Sequence, residues 1–189
     1  MKICIFGGAF DPLHLGHEKL ILELLSKFDK VIVMPSKQSP GKNAPAASDA
    51  DRLKMLSLCS FFKDSNLIVD DYEIISDAKP SYTIDSVKYI SNKFKGDEIY
   101  LALGLDQLKN LSNWHNVEEL LKLVKIICFN RNVLTENDFS IDCELIEDFN
   151  YDISSSKIKN LIKSDFYQIK TMVNENVFNY IINEKLYRC

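Results

Sequence analysis

The stretch Ile3-Cys4-Ile5-Phe6-Gly7-Gly8-Ala9-Phe10-Asp11-Pro12-Leu13-His14-Leu15-Gly16-His17 holds the key to the fold. Its apolar start stops at two glycines, the pattern of a buried parallel strand. Beyond it, Leu20, Ile21, Leu24, Leu25 and Phe28 recur at helical spacing, which predicts a helix over about 14–27. Strand, glycine turn and helix together form the opening of a strand–helix–strand unit. Working outward, Val31-Ile32-Val33-Met34 reads as a second strand stopped by Pro35. Residues 36–48 carry no periodicity and read as a long exposed loop.

The same alternation continues to the end of the chain. A helix follows the loop, with Asp49 and Asp51 meeting its dipole and Leu53, Leu56 and Phe61 facing the core. Strands are expected at 67–69, 72–75, 99–103, 124–129 and 144–146, and a helix at 83–94. An amphipathic stretch runs through Leu121, and everything from about 154 reads as helical. This order predicts an α/β fold: a Rossmann-like, doubly wound parallel sheet with helices on both faces. It is read as one domain over 1–189. In such sheets ligands bind beyond the carboxyl ends of the strands, and two of the strands end there in glycine, at Gly7-Gly8 and Gly104.

Composition narrows the function. The 23 Lys and Arg against 27 Asp and Glu leave a charge of −4, which opposes a mainly electrostatic nucleic-acid binder. No apolar run approaches the roughly 20 residues of a membrane span, and the start is too short for a signal peptide. Five scattered cysteines form no C-x-x-C pair. Cys4 and Cys128 lie in apolar runs and read as buried hydrophobes, which points to a reducing, cytoplasmic setting.

Three segments carry the chemistry. In the first, two of the chain's three histidines, His14 and His17, share one side of a helix start. Such a start favours an anion, and each imidazole can donate to a phosphate oxygen. Neither G-x-x-x-x-G-K-[ST] nor G-x-G-x-x-G is present, so a P-loop enzyme or a dinucleotide dehydrogenase is unsupported. In the second, Ile153-Ser154-Ser155-Ser156-Lys157-Ile158-Lys159 puts lysines where the helix dipole asks for acids, and no capping-box Glu follows. Hydroxyls, amides and lysines at a helix start suit a polyphosphate; an ordinary serine cap with solvated lysines is the plainer alternative. The third is Pro80-Ser81-Tyr82-Thr83-Ile84-Asp85 with Gly104-Leu105-Asp106 and the lone Trp114. Taken singly, these read as a cap, a helix start and a core residue.

Residues 7–17 resemble the G-G-x-F-D-P-x-H-x-G-H signature of the bacterial nicotinate-nucleotide adenylyltransferases, members of the H-x-G-H nucleotidyltransferase superfamily. That superfamily also holds pantetheine-phosphate adenylyltransferases and cytidylyltransferases; the second and third segments, in their order and spacing, narrow the resemblance. It implies adenylyl transfer from ATP to nicotinate mononucleotide, giving nicotinate adenine dinucleotide and pyrophosphate in NAD biosynthesis. His14 and His17 would be catalytic. Gly7, Gly8, Ala9, Phe10, Gly104, Asp106, Arg131, Ser155, Ser156 and Lys159 would join them in binding ATP. Lys42, Tyr82, Thr83, Asp106 and Trp114 would face the mononucleotide, with the indole on the pyridine ring. Magnesium is implied as Mg2+ carried mainly by the ATP phosphates.

Three positions depart from the family pattern. Ser39-Pro40-Gly41-Lys42 stands where Pro-Pro-His-Lys or Pro-Pro-His-Arg is common. Lys159 replaces an arginine, keeping the charge without the fork, and Ser156 replaces a threonine. The alternatives are an enzyme for nicotinamide mononucleotide or for both mononucleotides, and, more distantly, a non-catalytic nucleotide-binding module. The sequence leaves monomer and homo-oligomer equally open.

Overall fold

The computed structural model describes residues 1–76, 80–129, 141–146, 149 and 153–188. Six strands form an all-parallel sheet: β1 (Lys2–Gly8), β2 (Lys30–Pro35), β3 (Leu67–Val69), β4 (Glu98–Gly104), β5 (Lys125–Phe129) and β6 (Cys143–Ile146), in the order β3-β2-β1-β4-β5-β6. The chain therefore winds outward from β1 in one direction, returns, and winds outward in the other from β4. The crevice between the carboxyl ends of β1 and β4 is the switch point where such sheets bind ligands. Gly7 and Gly8 are the last rungs of β1, paired with Met34 and Pro35.

Strand side chains alternate between two cores. Cys4, Phe6, Val31, Val33, Tyr100 and Ala102 pack under α1 (Leu15–Lys27), α2 (Asp49–Ser57), α7 (Ser155–Ser164) and α8 (Glu175–Asn183). Ile3, Ile5, Ile32, Met34, Leu101 and Leu103 pack on the other side with α4 (Thr83–Lys93), α5 (Leu105–Lys109) and α6 (Val117–Leu123). Both faces being covered explains why β1, β2, β4 and β5 read as continuous apolar runs. Cys4, Cys59 and Cys128 are buried in these cores, and among the described residues no helix is long and apolar enough to cross a membrane.

Two expectations are corrected. Tyr72-Glu73-Ile74-Ile75 is a helical turn, α3 (Tyr72–Ile75), and not a strand. The Asp70 carboxylate accepts the Tyr72 N–H at 3.1 Å, and the Asp71 carbonyl accepts from Ile74 and Ile75. A four-residue apolar run fits either state, and the packing decides it: the Tyr72 ring stacks on Tyr89 of α4 at 4.1 Å. On α2 the core positions are Arg52, Met55 and Leu56, while Leu53 is only half-buried. Arg52 turns inward because its guanidinium reaches the Ala9 carbonyl and Asp49.

Candidate active site

His14 is the N-cap of α1, with an extended backbone, and it makes a reciprocal cap with His17. The His17 N–H donates to His14 Nδ1, and the His14 N–H donates to His17 Nδ1, each at 3.3 Å. The two rings stack at 3.6 Å. Because each Nδ1 accepts a hydrogen bond, a neutral ring at either position carries its proton on Nε2. The cap thus fixes both tautomers as Nε2–H donors at the positive end of a helix.

Beneath them lies Phe10, 1% exposed and held at φ 49, a left-handed conformation that is costly for a large residue. Its ring packs edge-on to Phe6 at 5.5 Å and to His17 at 5.0 Å. The absent side chain of Gly8 makes room for it: a Cβ there would lie 3.2 Å from Phe10 Cζ. Phe10 supports the histidines from below and does not line the open crevice.

The start of α7 meets this turn from the far end of the chain. Ser154 is the N-cap, accepting the Lys157 N–H at 3.2 Å. The Ser155 hydroxyl donates to the Pro12 carbonyl at 2.9 Å, so its proton ties the two loops together. Ser156 is exposed. Lys159 Nζ donates to Asp11 Oδ2 at 2.8 Å, across 148 positions. Asp11, itself 2% exposed, also accepts the Ala46 and Ala47 N–H groups at 2.9 and 3.0 Å. Burial pushes this carboxyl up, but Lys159 and the two amides outweigh it and hold it below the ordinary carboxylate range.

On the other side of residues 7–9 lies a cavity of about 680 Å³. It collects Gly7, Gly8 and Ala9 from β1 and the turn after it, Lys42 from the long loop, Tyr82 and Thr83 at the start of α4, Asp106 of α5, and Trp114. Tyr82 caps α4 and lies against His115 at 4.4 Å. The loop is tied to this wall by the Ser81 N–H, which donates to the Gln38 carbonyl at 3.0 Å. Within it, Ser39-Pro40-Gly41-Lys42 forms a tight turn: Gly41 sits at φ 69 and the Lys42 N–H reaches the Ser39 carbonyl at 3.2 Å. Proline then glycine is what a type II turn requires, which accounts for the departure from Pro-Pro-His.

The predicted residues therefore divide into two groups. His14, His17, Ser155, Ser156 and Lys159 gather at the α1 and α7 starts. Lys42, Tyr82, Thr83, Asp106 and Trp114 share the cavity with Gly7, Gly8 and Ala9, and Gly104 caps α5 behind it, its N–H on Gln107 Oε1 at 3.1 Å. Arg131 lies outside the described residues.

Sequence reading missed Arg52, 0% exposed, which donates to the Ala9 carbonyl at 2.7 Å and to Asp49 at 2.6 Å. A lone arginine on a helix carries no signal of burial. Tyr187, beyond the end of α8, was missed as well; its phenol is pushed up by burial and by the neighbouring Asp11 carboxylate.

Residues 5–161 match the model of the cytidylyltransferase-like family. A Fusobacterium nucleatum protein named "Probable nicotinate-nucleotide adenylyltransferase" is 38% identical over 97% of this chain and 98% of its own length. An Aquifex aeolicus protein of the same name is 34% identical over 93% and 92%. The Plasmodium falciparum nicotinic acid mononucleotide adenylyltransferase, solved in complex with NaAD, superposes with a TM-score of 0.80 at 23% identity, covering 98% of this chain and 97% of that one. With both helix starts and the switch-point cavity in place, the chain belongs to the nicotinate-nucleotide adenylyltransferase family of cytidylyltransferase-like enzymes.

Proposed function

We propose that the protein transfers the adenylyl group of ATP to nicotinate mononucleotide, releasing pyrophosphate and forming nicotinate adenine dinucleotide for NAD biosynthesis. The observation that carries this reading is the convergence of two helix starts, α1 with His14 and His17 and α7 with Lys159, beside a cavity walled by Thr83 and Trp114. The mononucleotide phosphate attacks the α-phosphorus in line, and pyrophosphate leaves toward α7. No protein nucleophile is required, so positioning and charge stabilisation carry the catalysis. The Nε2–H groups of His14 and His17 donate to the reacting phosphate. Lys159, the Ser156 hydroxyl and the N–H groups of Ser155 and Ser156 at the α7 start neutralise the departing pyrophosphate.

The residues at the phosphate end are N–H, hydroxyl and ammonium donors, a set that binds phosphate oxygens. Magnesium fits as an ion carried by the nucleotide, where it supplies further neutralisation of phosphate charge. The unpaired thiols of Cys4, Cys59, Cys128 and Cys143 suit the cytoplasm.

At the cavity, the amides at the start of α4 match a carboxylate better than a carboxamide. The test is pyrophosphate release from ATP and magnesium with each mononucleotide in turn, at a single pH near the acidic end of the enzyme's working range. The acid is expected to give a kcat/KM about ten-fold or more above the amide, and Trp114→Ala to raise KM for both without inverting the order. Equal efficiencies would overturn the assignment of the acid.

A further inference from the structure

Glu73, on α3, stands in the wall of the same cavity as Thr83. Its Oε1 accepts the hydroxyl of Ser86, itself 3% exposed, at 2.6 Å. Glu73 also lines a second hollow of about 500 Å³, together with Ser81, Tyr82 and Ser86, whose rim includes the exposed Asp85. Glu73 therefore borders both the substrate cavity and a second hollow, and as a half-buried residue it is within reach of solvent protons. We propose that Glu73 is a specificity-determining residue that discriminates a negatively charged from a neutral ring substituent at the Thr83 end of the cavity.

The inference rests on the proposed function, which brings the ring substituent to the start of α4. A carboxylate entering beside an ionised Glu73 meets like charge in a site where screening is poor. It is accommodated when Glu73 holds a proton taken from solvent. Burial already pushes the Glu73 carboxyl up, with the hydroxyl of Ser86 and the charge of Arg52 pulling part of the way back. A carboxamide has no net charge to meet and is indifferent to that proton.

The sign follows from linkage: binding of the acid is coupled to proton uptake, so its affinity falls as pH rises through the Glu73 titration, by at most about tenfold per pH unit. Other charges surround this carboxyl. Arg52 of α2 acts on it directly, and Lys37 lies behind α3, tied to the Ser76 carbonyl. From α4 come Asp85, Lys88 and Tyr89, with Tyr82 capping it, and Tyr72 precedes Glu73 on α3. Across the cavity stand Lys42, Asp106 and His115. Both mononucleotides meet all of these, and both carry the same phosphate. The ratio of kcat/KM for acid over amide therefore cancels effects common to the two substrates.

The experiment measures that ratio from pH 5 to 9 in the wild-type enzyme and in Glu73→Gln, which keeps an acceptor for Ser86. The ratio is expected to fall with rising pH in the wild type, by about tenfold or more over the range, and to stay level in Glu73→Gln. A level wild-type profile, or the same fall in both enzymes, overturns the role of Glu73. Absence of any turnover of the acid by the wild type overturns the proposed function itself, and with it this inference. Should Glu73→Gln not fold, Ser86→Ala serves: losing a hydroxyl that favours the ionised form moves the fall to higher pH, and an unmoved fall overturns the proposal.

Discussion

Lys159 Nζ stands 2.8 Å from Asp11 Oδ2, so the cation read from sequence as a phosphate ligand is also the lock between the α1 and α7 loops. Asp11 is 3% exposed at its side chain and Lys159 32%. The pair is thus sheltered on the acid side and part-exposed on the amine side, where the proposed function brings the triphosphate. A carboxylate that also holds the Ala46 and Ala47 amides stays in place when the lysine shares its three protons with a phosphate.

Lys159→Met tests that lock. The folded Asp11 carboxyl is held below its usual value, so it contributes stability that is present above the unfolded value of about 3.9 and lost as pH falls through the folded one. Removing the amine is expected to cost about 1–3 kcal/mol at pH 7, less than a fully buried pair because Lys159 is part-exposed. It also moves acid unfolding to higher pH and raises KM for ATP. Lys159→Arg keeps the charge, adds a fork suited to phosphate, and is expected to match or exceed the wild type. Urea unfolding at pH 7, an acid titration followed by circular dichroism, and ATP steady-state kinetics check these outcomes.

Gly8→Ala is expected to lose about 1–3 kcal/mol together with most of kcat. The new Cβ would meet the Phe10 ring at 3.2 Å, and that ring is hemmed in by Phe6 and His17. Gly104→Ala meets the Phe129 ring at 3.4 Å and is expected to cost less than about 1 kcal/mol. Thermal melts and turnover of the two variants, side by side, test the difference.

His17→Ala removes a donor that the proposed function aims at the reacting phosphate and is expected to lower kcat by about 10²–10³. The helix survives, since alanine is a strong helix former, and the lost cap to the His14 N–H costs about 1 kcal/mol, a few degrees in Tm. Near wild-type turnover in the folded variant would remove His17 from the mechanism.

Arg52→Met keeps the volume of a 0% exposed side chain but leaves the Ala9 carbonyl and Asp49 without their donor. The expected loss is about 1–3 kcal/mol, since the part-exposed Asp49 regains water, with a fall in kcat because Ala9 precedes the strained Phe10. Arg52→Lys is expected to recover only part of each, one ammonium replacing a two-ended fork. Chemical denaturation and single-turnover rates read the two effects separately.

Local signals determined much of this protein. The apolar runs of β1, β2, β4 and β5, their stops at Pro35 and Gly104, and the stripe of α1 are short-range patterns, legible wherever a strand is buried on both faces. The histidines of α1 and the serines of α7 announce themselves because helix starts have a chemistry of their own. What only the tertiary structure decided is what meets across long separations. Tyr72-Glu73-Ile74-Ile75 became a helical turn because Asp70 capped it and Tyr89 stacked on it. Arg52 turned inward to reach the Ala9 carbonyl 43 positions away, and Asp11 found Lys159 at the other end of the chain. A charged residue looks solvated in sequence; its partner, which alone makes burial affordable, is supplied by the packing of the sheet and its helices.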